Sequence, residues 1–224
     1  LHGDAPPLLV VPLGSANLMG QHLGLKWETR TIERQIIDAI RAGHTVALDT
    51  ATANDELFLL IAGVGIDGRI VHELTRVRRG PLAGKANYLL PAAVAISKYR
   101  YPRLTVSVDG KTIFEDKPAM AFVGNVREYG TGFPLLPLAR SDDGLLDVCV
   151  TPCANPIEAA RLLLHSVAGD LLQVDGVVYA KGTRVRVESP DPVEIQLDGD
   201  AAGHTPLDVA LLPRKLRFIV PRSP

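Results

Sequence analysis

Two acidic bends lie far apart in this chain, Ser141-Asp142-Asp143-Gly144 and Leu197-Asp198-Gly199-Asp200. Carboxylates at a bend between rigid elements can hold a hard cation or face a phosphate-bearing ligand, because such cations take oxygen donors. The same residues also suit a plain hairpin turn, since Asp and Gly are what tight turns demand. A third stretch, Pro12-Leu13-Gly14-Ser15-Ala16-Asn17, puts a small-residue turn between an apolar run and a helix-like spacing. The first amides of a helix have no internal partner, so this turn suits a phosphate; a simple N-cap by Ser15 is the other reading. A further carboxylate, Asp67, follows Gly63-Val64-Gly65-Ile66. Two glycines in a strand signal the close approach of another backbone or a ligand, and Asp67 is expected at that strand's end.

The elements that must position these groups follow from hydrophobic period. Ala119–Val123, AMAFV, reads as a buried strand. It breaks into a loop punctuated by Gly124, Asn125, Gly130, Gly132, Pro134 and Pro137, which delivers the first acidic bend before a second strand, LLDVCV. Leu8–Pro12, LLVVP, predicts a strand buried on both faces of a parallel sheet. Thr31–Ala42 carries Ile32, Ile36, Ile37, Ala39 and Ile40 at helical spacing. From His44 the pattern turns to alternation, TVALDTA, and then to the dense run LFLLIAGVGI, which sets a domain boundary near residue 43.

Gly68–Arg79 predicts a short helix whose basic end, Arg76, Arg78 and Arg79, complements the helix dipole or attracts anionic lipid head groups. Lys85–Arg100 predicts another helix. Asp109-Gly110 predicts a hairpin between Leu104–Val108 and Thr112–Phe114. Asn155–Gly169 predicts an amphipathic helix begun by Asn155 and Pro156, with Ile157, Leu162, Leu163, Leu164 and Val167 apolar. The remainder, VVYA, TRVRVES, VEIQLDGD, PLDVALLP and LRFIVP, reads as short strands of a sandwich. The expected fold is α+β. Residues 1–43 form the remnant of an α/β domain, and 44–224 a mainly antiparallel β-sandwich whose final strands return toward the first domain.

Composition sets outer limits. A net charge of −1 over 224 residues gives no basic field for nucleic acid. Hydrophobic residues at 46% and charged residues at 22% describe an ordinary folded protein, and no apolar run reaches the length of a bilayer span. Cys149 and Cys153 are separated by three residues with no further Cys or His cluster, which argues against zinc and for reduced thiols in the cytoplasm. Leu1 stands where a Met would open a gene product, so the sequence is read as a portion of a longer chain.

In this order the motifs resemble the diacylglycerol kinase catalytic domain family, which includes sphingosine, ceramide and bacterial lipid kinases. The matching pieces are PLGSAN at Pro12–Asn17, GVGIDGRIV at Gly63–Val71 and VGNVREYGTGFPLLPLARSDDGLLDV at Val123–Val148. LDGD at Leu197–Asp200 and the closing PLDVALLPRKLRFIVP complete them. The resemblance implies a two-domain kinase with its site between an α/β nucleotide domain and a β-sandwich that receives lipid. It places Ser15 and Asn17 on ATP phosphate. It places Asp143 on Mg2+, with backbone carbonyls of Arg140 and Leu145 as further ligands. Asp200 stands in the place of a Glu general base, one methylene shorter, and Asp67 lies near the lipid head group. Leu18 replaces an acidic residue usual after the Asn, and no Gly-Gly-Asp-Gly-Thr phosphate loop is found in the sequence.

The resemblance therefore implies an ATP- and Mg2+-dependent lipid kinase that acts on a diacylglycerol or sphingoid-type hydroxyl, with peripheral membrane contact. A non-catalytic lipid-binding or scaffold module derived from such a kinase is the alternative. A nicotinamide-nucleotide kinase is a third, disfavoured by the loop from Gly124 to Asp143.

Overall fold

A computed structural model describes residues 6–13, 17–28, 30–78, 99–127, 129 and 133–221, without the side chains of 74–78. Its organising element is a 14-residue strand, β6 (Lys111–Gly124), shared by the two halves of one large antiparallel sheet. The first half of β6 pairs with β5 (Arg103–Val108) through an Asp109-Gly110 turn in which both residues have positive φ. The second half runs between β4 (Ile61–Val64) and β7 (Leu146–Pro152). Beyond β5 lie β9 (Arg184–Glu188), β12 (Leu207–Leu211), β2 (Ala51–Ala53) and β3 (Glu56–Phe58). Beyond β4 lie β10 (Glu194–Leu197) and β11 (Asp200–His204), and β8 (Val178–Gly182) flanks β7. Because β6 serves both halves, the sheet folds over itself into a sandwich, and the α+β expectation holds.

The period of two explains why β6 and β7 read as unbroken apolar runs. Ala119, Ala121 and Val123, with Leu146, Val148 and Val150, point into the main core between the half-sheets. Met120, Phe122 and Cys149 point to the opposite face, where a second core forms under α4 (Pro156–Ala168) with Leu162 and Leu171. A strand covered on both faces has no polar side to alternate with. Asp147 and Tyr179 fall on this second face.

A separate two-stranded sheet pairs β1 (Thr45–Leu48) with β13 (Leu216–Ile219). Its buried Leu48, Leu216 and Phe218 are covered by Val10, Met19, Leu23 and Leu59. α1 (Leu18–His22) and α2 (Ile32–Ala42) precede it, and α3 (Ile66–Arg78) follows β4.

Several local expectations change. Leu8–Pro12 is no doubly buried strand: only Leu8 bridges Phe218, in parallel, and Leu8 is 44% exposed, because it lies on the open edge of the small sheet. In α4 the cap is as expected, with Asn155 Oδ1 accepting from the Ile157 and Glu158 amides. Of its apolar residues only Leu162 is buried, while Ile157, Leu163, Leu164 and Val167 face outward. In α2 Ala39 is buried and Ile37 and Ile40 are exposed. The expected helix at Lys85–Arg100 lies outside the described residues apart from its last two, as do Arg79 and the side chains of Arg76 and Arg78.

Candidate active site

The strand register carries the acidic residues to one rim of the sheet. Across it, Ile61 pairs with Gly124, Gly124 with Asp147, and Asp147 with Lys181, while the Asp198 amide donates to the Ile61 carbonyl at 3.0 Å. Asp198 and Asp147 are thus three strand spacings apart, about 14 Å. Asp143 and Asp200 sit just beyond them at the same end of the sheet.

Each bend has its own strap. At the first, Asp49 is 2% exposed in the β1–β2 connection; its Oδ2 accepts from the Gly144 amide at 2.8 Å, and its Oδ1 faces Lys215 Nζ at 3.1 Å. This pair follows from register: β1 and β13 align Leu48 with Leu216, so the next residues, Asp49 and Lys215, stand opposite each other. Lys215 also donates to the Asp142 carbonyl at 2.7 Å, and the Asp49 amide donates to the Ser141 carbonyl at 2.7 Å. Arg140 turns its guanidinium onto Asp142 at 3.3 Å.

Asp143 itself accepts from the Leu145 amide at 3.1 Å through Oδ1 and from Lys181 Nζ at 3.0 Å through Oδ2. Lys181 also donates to the Leu138 carbonyl at 3.3 Å and stands 3.3 Å from Asp147 Oδ2. Asp147 is fully buried and accepts from the Tyr179 hydroxyl at 2.6 Å; burial pushes its carboxyl above the ordinary range, against Tyr179 and Lys181, which hold it down.

At the second bend Asp198 and Gly199, with φ of 51° and 93°, make the two-residue turn between β10 and β11. The Asp198 carboxylate accepts from three successive amides, Leu59, Leu60 and Ile61, at 2.8–2.9 Å. Asp198 is therefore the structural carboxylate of LDGD, while Asp200 is exposed at the start of β11. The two bends are joined through the polypeptide. Leu60 accepts from the buried Asn125 amide at 2.9 Å, and Asn125 Nδ2 donates to the Asp49 carbonyl at 3.1 Å. Gly124 permits this, because a Cβ there would lie 2.3 Å from the Leu60 carbonyl oxygen.

Asp67 occupies the first turn of α3 rather than the strand end expected from the sequence, and is 8% exposed. Its carboxyl lies over β4 where Gly63 leaves room; a Cβ at Gly63 would sit 1.8 Å from Asp67 Oδ2. Burial pushes the carboxyl up to about 6, and the side chains of Tyr129 and Gln196 hold it down in part. Gln196, fully buried, also accepts from the Gly199 amide at 2.8 Å through Oε1, so it stands between Asp67 and the second bend.

Ser15 lies outside the described residues. Asn17 stands at the N-cap position of α1 in the left-handed conformation, φ 50°, without a side-chain capping hydrogen bond, and α1 is only one turn and a half long, so its dipole adds little. At its end His22 Nε2 meets Ser141 Oγ at 2.8 Å, which docks the segment after PLGSAN on the first acidic bend. A cleft of about 690 Å³ opens there, lined by His22, Leu48, Arg140, Ser141 and Asp142 among others. A smaller one of about 400 Å³ is bounded by Leu18, Gln21, His22 and Val126. The structure thus keeps Arg140, Asp143 and Leu145 together at the first bend and sets Asp67, through Gln196, beside the second, where Asp200 begins β11, while Asn17 stands at the far end of α1 from the His22 contact.

Asp49, Lys215, Asp147 and Lys181 are not singled out by motif reading. Their signal is a carboxylate inside an apolar strand pattern, TVALDTATA and LLDVCV, which burial obliges to find a partner.

Known proteins resemble this chain in sequence and in fold. A diacylglycerol kinase of Mycobacterium tuberculosis (strain ATCC 25618 / H37Rv) is 26% identical over 227 residues, covering 99% of this chain and 72% of its own. A diacylglycerol kinase of Bacillus subtilis (strain 168) is 24% identical over 226 residues, with 98% and 71% covered. A solved structure described as a diacylglycerol kinase from Bacillus anthracis str. Sterne superposes with a TM-score of 0.67 at 20% identity, over 98% of this chain and 68% of that one, which shows the shared fold. Residues 61–220, the part that builds the rim from β4 to β13, match the YegS C-terminal NAD kinase beta sandwich-like domain, and the chain belongs to that family.

Proposed function

We propose that this chain serves a lipid kinase that moves the γ-phosphate of ATP, accompanied by Mg2+, to a hydroxyl of diacylglycerol or a sphingoid-type lipid. The observation that supports it is the single rim. It sets an exposed carboxylate, Asp200, on the same edge as the bend on which α1, the helix that follows PLGSAN, docks through His22 and Ser141. The relatives named diacylglycerol kinase give the reaction class.

In this reading Asp200 accepts the proton of the lipid hydroxyl as its oxygen attacks phosphorus, a role a carboxylate fills only within hydrogen-bond reach. Asp67 holds the head-group end, and Ser15 and Asn17 orient the phosphates. ATP supplies the phosphoryl group and Mg2+ offsets its charge; the protein's part is to align hydroxyl and phosphate and to take up the proton. The Asp143 carboxylate, where the resemblance puts magnesium, already faces the Lys181 ammonium, so no step is routed through a metal there.

The test is lipid phosphorylation by the full gene product with radiolabelled ATP and diacylglycerol in mixed micelles. Asp200→Asn lowers turnover by about 10²-fold or more while the unfolding midpoint stays put. Unchanged turnover in that variant refutes the assignment. The shorter reach of Asp200 favours one second reading, a lipid-binding or scaffold module without catalysis. Failure of the 224-residue chain to bind ATP would support it, and tight binding with slow turnover would exclude it.

A further inference from the structure

The first acidic bend carries oxygen donors of the kind a hard cation uses, and the structure shows what they converge on. Strand β8 reads Val178-Tyr179-Ala180-Lys181-Gly182. With a period of two, Val178 and Ala180 pack on the main core, while Tyr179 and Lys181 share the opposite face. Register then sets Lys181 directly across from Asp147. The long side chain reaches past Asp147 to the bend, where Nζ has Asp143 Oδ2 at 3.0 Å, the Leu138 carbonyl at 3.3 Å and Asp147 Oδ2 at 3.3 Å. Of the three N–H donors of the ammonium, two are given to Asp143 Oδ2 and the Leu138 carbonyl, and Asp147 Oδ2, buried without a hydrogen bond of its own, stands within ion-pair range.

The second oxygen of each carboxylate is engaged elsewhere. Asp143 Oδ1 accepts from the Leu145 amide and Asp147 Oδ1 from the Tyr179 hydroxyl. Among the described residues no group of three His, Cys, Asp or Glu side chains is arranged to hold a metal. A magnesium ion bound to Asp143 Oδ2 at about 2.1 Å would lie no more than about 5 Å from Nζ, given the 3.0 Å contact. Such an ion must displace the lysine or share its oxygens with a like charge.

We propose that the Lys181 ammonium is the resident cation of this bend, and that the chain shapes Ser141–Gly144 without a divalent ion on Asp143. A protein cation of this kind is held by the fold, does not dissociate, and does not respond to chelation. This is independent of Mg2+ that arrives with ATP, so the experiment is done without nucleotide.

The test uses the whole chain treated with EDTA and dialysed at constant ionic strength. In the wild type, Mg2+ leaves the unfolding midpoint unchanged, and Mn2+ titrated by electron paramagnetic resonance shows no stoichiometric site. A stoichiometric Mn2+ or Mg2+ site that disappears in Asp143→Asn overturns the proposal, and this arm depends on no lysine variant. In Lys181→Met the two carboxylates lose their counter-charge and the midpoint falls by about 5 °C, part of which Mg2+ restores. A Lys181→Met protein as stable as the wild type and indifferent to Mg2+ also overturns it.

Discussion

Asp67 offers a quantitative check on how the second bend is built. The perturbation is Asp67→Asn, which keeps the size of the side chain and removes its charge. Burial at 8% exposure raises the carboxyl from 3.8 to about 6 in the folded chain. A carboxyl with a raised folded-state value binds its proton more tightly folded than unfolded. Stability from this group is therefore fully present only well below 3.8, falls as pH rises through the interval, and is lost above about 6. A change from 3.8 to about 6 corresponds to about 3 kcal/mol.

Asn is neutral throughout and escapes this loss. The unfolding free energy of the variant minus that of the wild type should therefore rise by about 2 kcal/mol between pH 4 and pH 7. Urea titrations followed by circular dichroism at several pH values measure it. Any constant offset from altered hydrogen bonds to Tyr129 or Gln196 cancels in the slope. A difference that stays flat within about 1 kcal/mol would show that the carboxyl stays solvated, and the desolvated seat between Gly63 and Gln196 would be refuted.

Three further perturbations probe the straps. Lys215→Met leaves the buried Asp49 carboxylate with one amide donor, at a cost of about 2 kcal/mol; hydrogen exchange at Gly144 should quicken, and adding Asp49→Asn should recover part of the loss. Asp198→Ala removes the acceptor of three amides and should cost about 2 kcal/mol, with faster exchange confined to Leu59–Ile61. Gly124→Ala drives a methyl group to 2.3 Å from the Leu60 carbonyl oxygen, so chemical denaturation should show a loss of about 3 kcal/mol, larger than any surface substitution.

What could be read from the chain alone is what local chemistry decides. Asp109-Gly110 and Asp198-Gly199 adopt the paired positive φ values that two-residue hairpins require, and Asn155 caps α4 through its own side chain. The strands from Val178 onward announce themselves because each is short and bounded by turn residues. The inward side of α4 did not follow from its apolar residues, since it carries more of them than one face can bury. The Asp49–Lys215 pair was invisible for a different reason. It exists only because β1 finds β13 at the far end of the chain in one particular register, and periodicity holds no information about which strand a strand will meet. The division of labour in LDGD was likewise hidden: both aspartates suit a turn, and only the approach of the Leu59–Ile61 amides makes the first structural.

These long-range pairs explain why the first bend is held where it is. Asp142 and Asp143 are neighbours, yet they are gripped from different sheets: Lys215, preceding β13 of the small sheet, takes the Asp142 carbonyl, and Lys181 of β8 in the large sheet takes the Asp143 carboxylate. The bend therefore marks the seam between the two sheets, and neither can rotate against the other without breaking a charged contact at one of two adjacent residues. His22 adds a third contact to the same bend from α1. A loop of this composition, rich in Gly and Pro, has no local reason to keep one shape. At Ser141–Asp143 one shape is imposed by side chains from three elements, and that is why the position of Asp143 depends on the whole fold rather than on the four residues that spell the motif.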